Sequence, residues 1–155
     1  MPTKTLENSN ARLLLSEILR KVSNAKTKAE KIKLLQKHNS AALRQILIIN
    51  FDDSVVSIMP EGDVPYTPNE APVGTDHSRL EHEYRGLFRF FKGGDPTLKN
   101  LKREQMFVQL LEGLSEEEAE LICLVKDGKL TSKYKRITKA VISEAFPQIE
   151  WGGRS

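Results

Sequence analysis

Apolar residues recur at steps of three and four over most of the chain, which is the spacing that places them on one face of an α-helix. Six or seven such segments are separated by short stretches rich in serine, asparagine, glycine and proline, the residues that start and stop helices. The predicted helices cover 11–22, 28–38, 41–50, 80–91, 96–113, 116–127 and 133–146. The pattern therefore predicts an all-α fold.

Several helix boundaries carry specific capping signals. Thr27 followed by Glu30 matches the capping box, and so does Ser115 followed by Glu118. Asp95 precedes a proline, which favours a helix start at that point. The four glutamates that follow Ser115 lie in the first turn of a helix, where negative charge is expected from the helix dipole alone.

The helical pattern is weaker at two places. Ile48 and Ile49 are β-branched and would also permit a strand, although the spacing of the surrounding leucines favours a helix. Between residues 51 and 78, four prolines and two glycines forbid a long helix. We predict an ordered irregular segment there, lying on the helical body.

The length of 155 residues is that of one domain with a sizeable core. We expect a flexible N-terminus over 1–10, a single compact helical domain over 11–148 and a C-terminal tail over 149–155. Trp151 in that tail is a candidate to pack back on the domain.

Charge is unevenly distributed along a chain whose net charge is only plus three at pH 7. Residues 20–38 carry seven cations against Glu30, and residues 52–83 carry eight acidic residues against Arg79. This alternation predicts a polarised surface with one face suited to a polyanion.

The strongest local signal is the basic stretch 126–139. Gly128 suits the left-handed position that ends a helix, and Thr131 or Ser132 can cap the next one. A helix N-terminus surrounded by cations is a place where phosphate binds, whereas the simpler interpretation is a solvated basic face. The cations, which stand against Asp127 alone, are Lys126, Lys129, Lys133, Lys135, Arg136 and Lys139. The predicted apolar face of the following helix consists of Tyr134, Ile137, Val141 and Ala145.

No motif for catalysis or for a cofactor is found. Cys123 is the only cysteine, so no intrachain disulfide is possible. It lies in an apolar run and is predicted to be buried. His77 and His82 could share a metal site with Asp76 or Glu81, but a solvated acidic loop is the simpler interpretation. We therefore expect no enzyme, no metal and no cofactor. No apolar run has the length of a signal peptide core or a membrane span, which favours a cytoplasmic protein.

An ordered series of segments carries a family resemblance over residues 11–148, with a weak match across 52–80. The segments are Leu15-Ser-Glu-Ile-Leu, Lys26-Thr-Lys-Ala-Glu-Lys-Ile-Lys-Leu-Leu, the Asn39–Phe51 helix, Leu87-Phe-Arg-Phe, Leu110-Leu-Glu-Gly-Leu, Ser115-Glu-Glu-Glu-Ala-Glu-Leu-Ile, Val125–Leu130 and Ala140-Val-Ile-Ser-Glu-Ala-Phe-Pro. In this order they resemble the N-terminal, all-helical DNA-binding domain of ATP-dependent DNA ligases, particularly those of tailed bacteriophages.

The resemblance implies a domain that packs on the minor-groove side of duplex DNA and holds it through phosphates. The turn entering the last helix, among the family's DNA-contacting elements, corresponds here to Lys129-Leu-Thr-Ser-Lys133, and the turn Lys26-Thr27-Lys28 is a second candidate. The family usually has a glycine before the last helix, where this chain has Ser-Lys-Tyr-Lys-Arg. Long cations would then replace close backbone approach.

Ligation itself is not expected. Ligases form a lysine–AMP intermediate within a Lys-x-Asp-Gly motif of a separate nucleotidyltransferase domain, and Lys126-Asp127-Gly128 lacks the intervening residue. The sequence also stops at Ser155, before such a domain could begin.

The sequence thus predicts a non-catalytic, largely sequence-independent protein that binds double-stranded DNA, intact or nicked, in phage DNA replication, repair or joining. The alternative is a protein-interaction module that binds a sliding clamp, a polymerase or a transcription protein through the acidic stretch 52–83 and the Trp151 tail. The candidate DNA-binding residues are Lys26, Thr27, Lys28, Lys129, Thr131, Ser132, Lys133, Lys135, Arg136 and Lys139.

Overall fold

The computed structural model describes residues 13–62, 64–69 and 77–154, and the regular secondary structure within them is helical, apart from two isolated β-bridges. The all-α class is therefore confirmed, while the predicted flexible N-terminus lies outside the described residues. The helices are α1 (Leu15–Asn24), α2 (Lys28–Lys37), α3 (Ala41–Phe51), α4 (Leu80–Glu83), α5 (Asn100–Gly113), α6 (Glu116–Lys126) and α7 (Lys139–Ala145). Short 3-10 segments cover Tyr84–Phe90 and Leu130–Ser132.

Helix α3 lies at the centre of the fold. It packs against α4, α6 and the 3-10 segment that follows α4, and apolar side chains are buried along most of its length. Its predicted helical rather than extended conformation is confirmed. Helix α2 packs on both α1 and α7, so the first two helices and the last one form one side of the molecule.

The described part of the irregular segment after α3, residues 52–62 and 64–69, lies on this helical body. Ser57 forms an isolated antiparallel bridge with Phe91, and the Met59 side chain enters the core. Lys126 ties the segment down, since its buried ammonium donates hydrogen bonds to the carbonyls of Pro60 and Gly62 at 2.8 and 2.9 Å.

Glu118 joins three helices through one buried carboxylate. Its Oε2 accepts a hydrogen bond from the Leu15 N–H and its Oε1 one from the Leu80 N–H, both at 2.9 Å. These are the first residues of α1 and α4, whose N–H groups have no acceptor within their own helices. Burial raises the pKa of Glu118, against the opposing effect of these two N–H groups. The predicted capping box is only half formed, because Ser115 caps α6 while Glu118 reaches away to the other helices.

A second buried charged group, the ammonium of Lys31, binds the C-terminal end of α1. The ammonium of Lys31 on α2 donates to the carbonyls of Val22 and Ala25 at 3.1 and 2.5 Å and lies 3.4 Å from that of Ser23. Lys31 is therefore buried, unlike the other lysines of α2, because the free carbonyls at the end of α1 provide acceptors for its ammonium.

The predicted helix over 80–91 is α-helical only in its first turn. From Tyr84 the chain continues as a 3-10 helix, in which residues three apart lie on the same edge. This geometry buries both Leu87 and Phe90 in the core. Gly86 lies within this segment, and glycine has a low intrinsic propensity for the α-helix.

The predicted helix start at Asp95 is also wrong, since α5 begins at Asn100. Residues 95–99 instead fold around the buried guanidinium of Arg103, which donates to the carbonyls of Asp95 and Leu98 at 2.9 Å. A side chain four residues into the helix thus holds the segment before it, and no side chain caps α5. Leu101, in the first turn of α5, is exposed.

The last predicted helix is much shorter than the sequence pattern indicates. Helix α7 begins at Lys139 with Thr138 as its N-cap, so the predicted helix N-terminus at Thr131 and Ser132 is wrong. The four residues assigned to its apolar face are nevertheless buried. Tyr134 and Ile137 reach the core from a turn, which the spacing alone does not distinguish from a helix. The termination of α6 by Gly128, at a φ of 70°, is confirmed.

The C-terminal residues pack against α3 and α7. The buried carboxylate of Asp52 accepts a hydrogen bond from the Gly152 N–H at 2.9 Å and pairs with Arg154 at 2.5 Å. Burial opposes ionisation of Asp52, but the hydrogen bonds from Ser54, Gly152 and Arg154 prevail and lower its pKa to about 2. Trp151 packs back, with its Nε1 donating to Ser143 at 3.0 Å.

Replacing Glu118 with alanine should destabilise the fold by about 2–5 kcal/mol, because two buried N–H groups lose their acceptor and each costs roughly 1–3 kcal/mol. Urea denaturation followed by circular dichroism measures this. Glu116→Ala is the matched control, since Glu116 is exposed in the same helical turn. Equal effects of the two substitutions would contradict the role of Glu118.

Acid denaturation should reveal the contribution of ionised Asp52 to the stability of the fold. Its folded pKa of about 2 lies below the ordinary value of 3.8, so its ionised form stabilises the fold above the ordinary pKa by roughly 2 kcal/mol. This contribution is lost as the pH falls from the ordinary pKa through about 2. Asp52→Asn should flatten this part of the stability–pH curve. Asp53 is exposed, so Asp53→Asn is the control. An identical flattening in Asp53→Asn would refute the assignment of this pH dependence to Asp52.

Candidate nucleic-acid interface

Most cations of the stretch 126–139 contact other groups of the chain. The exposed ion pairs among these contacts contribute only about 0–1 kcal/mol each, but they compensate the charge locally. The contacts are Lys126 with Asp127, Lys129 with Glu61, Lys133 with Glu120, and Lys139 with the ring of Trp151. The positive field of this stretch is therefore weaker than its cation count indicates.

Two cations of the stretch remain outside such pairs. Lys135 is exposed and its ammonium donates to the carbonyl of Ser132 at 3.2 Å. Arg136 is exposed and forms no ion pair with any residue that the structure describes. Thr131 and Ser132 are exposed in the 3-10 turn, where they do not begin an α-helix.

The other predicted element, Lys26-Thr27-Lys28, lies at the start of α2. The capping box is confirmed here, because the Thr27 hydroxyl accepts the Glu30 N–H at 3.1 Å and the Glu30 carboxylate accepts the N–H groups of Lys26 and Thr27. Lys28 forms an ion pair with Glu144 of α7 at 2.9 Å, which leaves Lys26 as the cation of this turn without an acidic partner.

Lys26 lies in a groove between α1 and α2 with a volume of about 790 Å³. The α1–α2 groove is also lined by Asn24, Ala25 and Leu34, and its one acidic residue, Glu30, is engaged in the cap. Its four lysines are Lys21, Lys26, Lys33 and Lys37. All four are exposed, and none has an ion-pair partner in the described ranges 13–62, 64–69 and 77–154.

The lysines of the α1–α2 groove lie close enough to affect one another. Lys33 and Lys37 are four residues apart on α2, so they are neighbours on one helix face. Burial lowers the pKa of His38, and the charges of Lys37 and Lys21 lower it further, which places cations of both helices near one imidazole. Like charges held together without counter-ions are unfavourable in the free protein and favourable for an anionic ligand.

The loop that carries Lys135 and Arg136 is attached to the same region. The Ser23 hydroxyl donates to the Lys135 carbonyl at 2.9 Å, next to Asn24 at the end of α1, which lines the groove. The structure therefore brings the end of the predicted 126–139 element toward the predicted 26–28 element. Its other members, Lys129 and Lys133, contact Glu61 and Glu120 instead.

Sequence reasoning missed Lys21, Lys33 and Lys37 as candidate residues. The charge excess over 20–38 was the available signal, but it could not separate free cations from paired ones. Arg20 pairs with Glu117, Lys28 with Glu144, and Lys31 with backbone carbonyls. The acidic partners of Arg20 and Lys28 are distant in sequence, so only the fold identifies the lysines that remain.

Over the described part of the chain, no three His, Cys, Asp or Glu side chains come together in a way that could hold a metal ion. Asp76, considered as a ligand with His77, lies outside that part. No helix among the same residues has the length and apolar character needed to cross a bilayer.

Comparison with known proteins gives one match. A family model described as "Family of unknown function (DUF6433)" matches residues 18–132, a range that includes the four lysines of the α1–α2 groove. No curated protein and no solved structure matches the chain.

The titration of His38 tests the electrostatics of the groove. Its pKa should lie below the ordinary 6.5, and Lys21→Ala or Lys37→Ala should raise it, because each removes a nearby positive charge. A pH titration of the imidazole resonances by NMR measures this. Lys92→Ala, which removes an exposed lysine outside the groove, should leave the value unchanged. Equal shifts in all three variants would contradict a local field.

Proposed function

The chain belongs to the DUF6433 family, whose function is unknown, and from its own surface we propose that it is a non-catalytic protein that binds double-stranded DNA through phosphates. The observation that carries this proposal is the α1–α2 groove. Its four lysines have no ion-pair partner among the described residues, and its one acidic residue is already engaged in a helix cap. Ion pairs compensate Arg20, Lys28, Lys129 and Lys133. The four groove lysines instead lie together on one surface, and none has an acidic partner in the described part of the chain.

Lysine chemistry favours phosphate contacts over base recognition. An ammonium group is a compact point charge that binds phosphate oxygens without the fixed geometry needed to distinguish bases. Contacts to the phosphate backbone position a protein on a duplex and carry no direct sequence information. We therefore propose binding that depends strongly on salt and weakly on sequence.

The resemblance to ligase DNA-binding domains supports a duplex, intact or nicked, as the ligand. A role in phage DNA replication, repair or joining belongs to the same proposal. The groove residues Lys21, Lys33 and Lys37 join Lys26 as the primary contacts. Lys129 and Lys133, which already have acidic partners, would contact DNA only after exchanging them.

A protein-interaction module remains the second candidate because of exposed apolar side chains. Val56 and Ile58 are 43% and 41% exposed and lie two residues apart on the extended segment that pairs with Phe91, so they face the same side. Phe88 is 48% exposed. Trp151 of the tail is half-buried against Ser143 and Lys139. Val56, Ile58 and Phe88, rather than the tail, therefore form the candidate contact surface for a replication or transcription protein.

Binding to a short labelled duplex across a salt series tests the main proposal. The double substitution Lys33→Ala and Lys37→Ala should weaken binding and reduce the log–log salt slope by roughly 1.8, since each phosphate contact contributes about 0.9. The matched control is Lys92→Ala with Lys102→Ala, which removes the same charge from exposed positions elsewhere.

A loss of affinity shared equally by both double variants would show that net charge, rather than the groove, governs binding. Absence of duplex binding even at low salt would overturn the proposal. In that case, capture of a replication or transcription protein that survives nuclease treatment and is lost on Val56→Ser with Ile58→Ser would support the second candidate. Comparing intact and nicked duplexes tests the role in joining.

A further inference from the structure

Arg136 has an unfavourable backbone conformation. Its φ is 66°, and it is the one residue other than glycine with a positive φ among the described residues. For an L-residue with a long side chain, this left-handed region costs roughly 1 kcal/mol or more, whereas glycine adopts it freely. An arginine thus occupies a position at which glycine would be the most favourable choice for the fold.

The surrounding structure imposes this conformation. Tyr134 and Ile137 are both buried, so the chain must reverse between them. The Ser23 hydroxyl fixes the Lys135 carbonyl, and Thr138, the N-cap of α7, follows two residues after Arg136. All of these constraints act on the backbone or on neighbouring side chains, and none of them uses the side chain of Arg136.

The side chain of Arg136 is exposed on the loop that Ser23 attaches to the end of α1. It is exposed, lacks an ion pair in the described part of the chain, and follows the residue that Ser23 holds beside the end of α1. Strained residues persist at ligand-binding sites because the strain positions a functional group. A guanidinium also offers two parallel N–H donors to one phosphate, which a lysine does not.

We propose that Arg136 is a phosphate-binding residue of the duplex site, held by the left-handed turn beside the α1–α2 groove at a cost to the stability of the fold. This inference rests on the proposed DNA-binding function. It assigns the groove lysines to one stretch of the phosphate backbone and Arg136 to an adjacent phosphate, bound in a bidentate manner.

The substitution Arg136→Gly separates the two effects. It should raise the melting temperature, because the strain is removed, and weaken duplex binding by about tenfold, as expected for loss of a charged hydrogen-bonded contact. Arg136→Lys should recover the salt slope of the wild-type protein but only part of its affinity, since it keeps the charge and loses the two-donor fork. Lys102→Ala is the control for loss of one exposed charge.

Each outcome decides between the claims. Wild-type affinity in Arg136→Gly, with weakened binding in the Lys33 and Lys37 double variant, would overturn this inference and leave the proposed function standing. Unchanged duplex affinity in both would show that neither the groove nor Arg136 contacts the duplex, whereas absence of duplex binding by the wild-type protein would overturn the proposed function itself. A lower melting temperature in Arg136→Gly would refute the claim that the turn is held at a cost. Full affinity in Arg136→Lys would refute bidentate binding.

Discussion

The buried carboxylate of Glu118 is the interaction on which the arrangement of helices depends. It accepts hydrogen bonds from the first N–H groups of α1 and α4, so one side chain of α6 positions the starts of two other helices. A carboxylate is suited to this because it is attracted by the partial positive charge of both helix N-termini. Since α1 forms one wall of the α1–α2 groove, the location of that wall is fixed from the protein interior.

Charge in this protein serves the fold before it serves a ligand. Lys31, Lys126 and Arg103 are buried and bind backbone carbonyls that helix ends and loops leave free. Arg20, Lys28, Lys129 and Lys133 pair with acidic side chains on the surface. The surface that remains positive is therefore what is left after these pairings. It includes the groove lysines and the loop at Lys135 and Arg136.

Much of the fold could be predicted from the sequence, because helix periodicity and local capping depend on residues close together in the chain. The box at Thr27, the stop at Gly128 and the burial of Tyr134, Ile137, Val141 and Ala145 are of this kind. The errors have a common origin in contacts between distant residues. Arg103 organises 95–99 in place of a cap at Asp95, and a turn between two buried side chains replaces the first half of the last helix. The same limit applies to the site, because the acidic partners of Lys28 and Lys133 are far away in sequence.

The position of Lys31 has a consequence for any anion that approaches the groove. Asn24 and Ala25 line the groove at the C-terminal end of α1, where a helix carries about half a negative charge and repels phosphate. The Lys31 ammonium lies against the last carbonyls of α1 and places a full positive charge there. The sign of the potential at this helix end is thereby reversed. The buried Lys31 thus makes the C-terminal end of α1 compatible with the proposed phosphate backbone, without contacting that backbone itself.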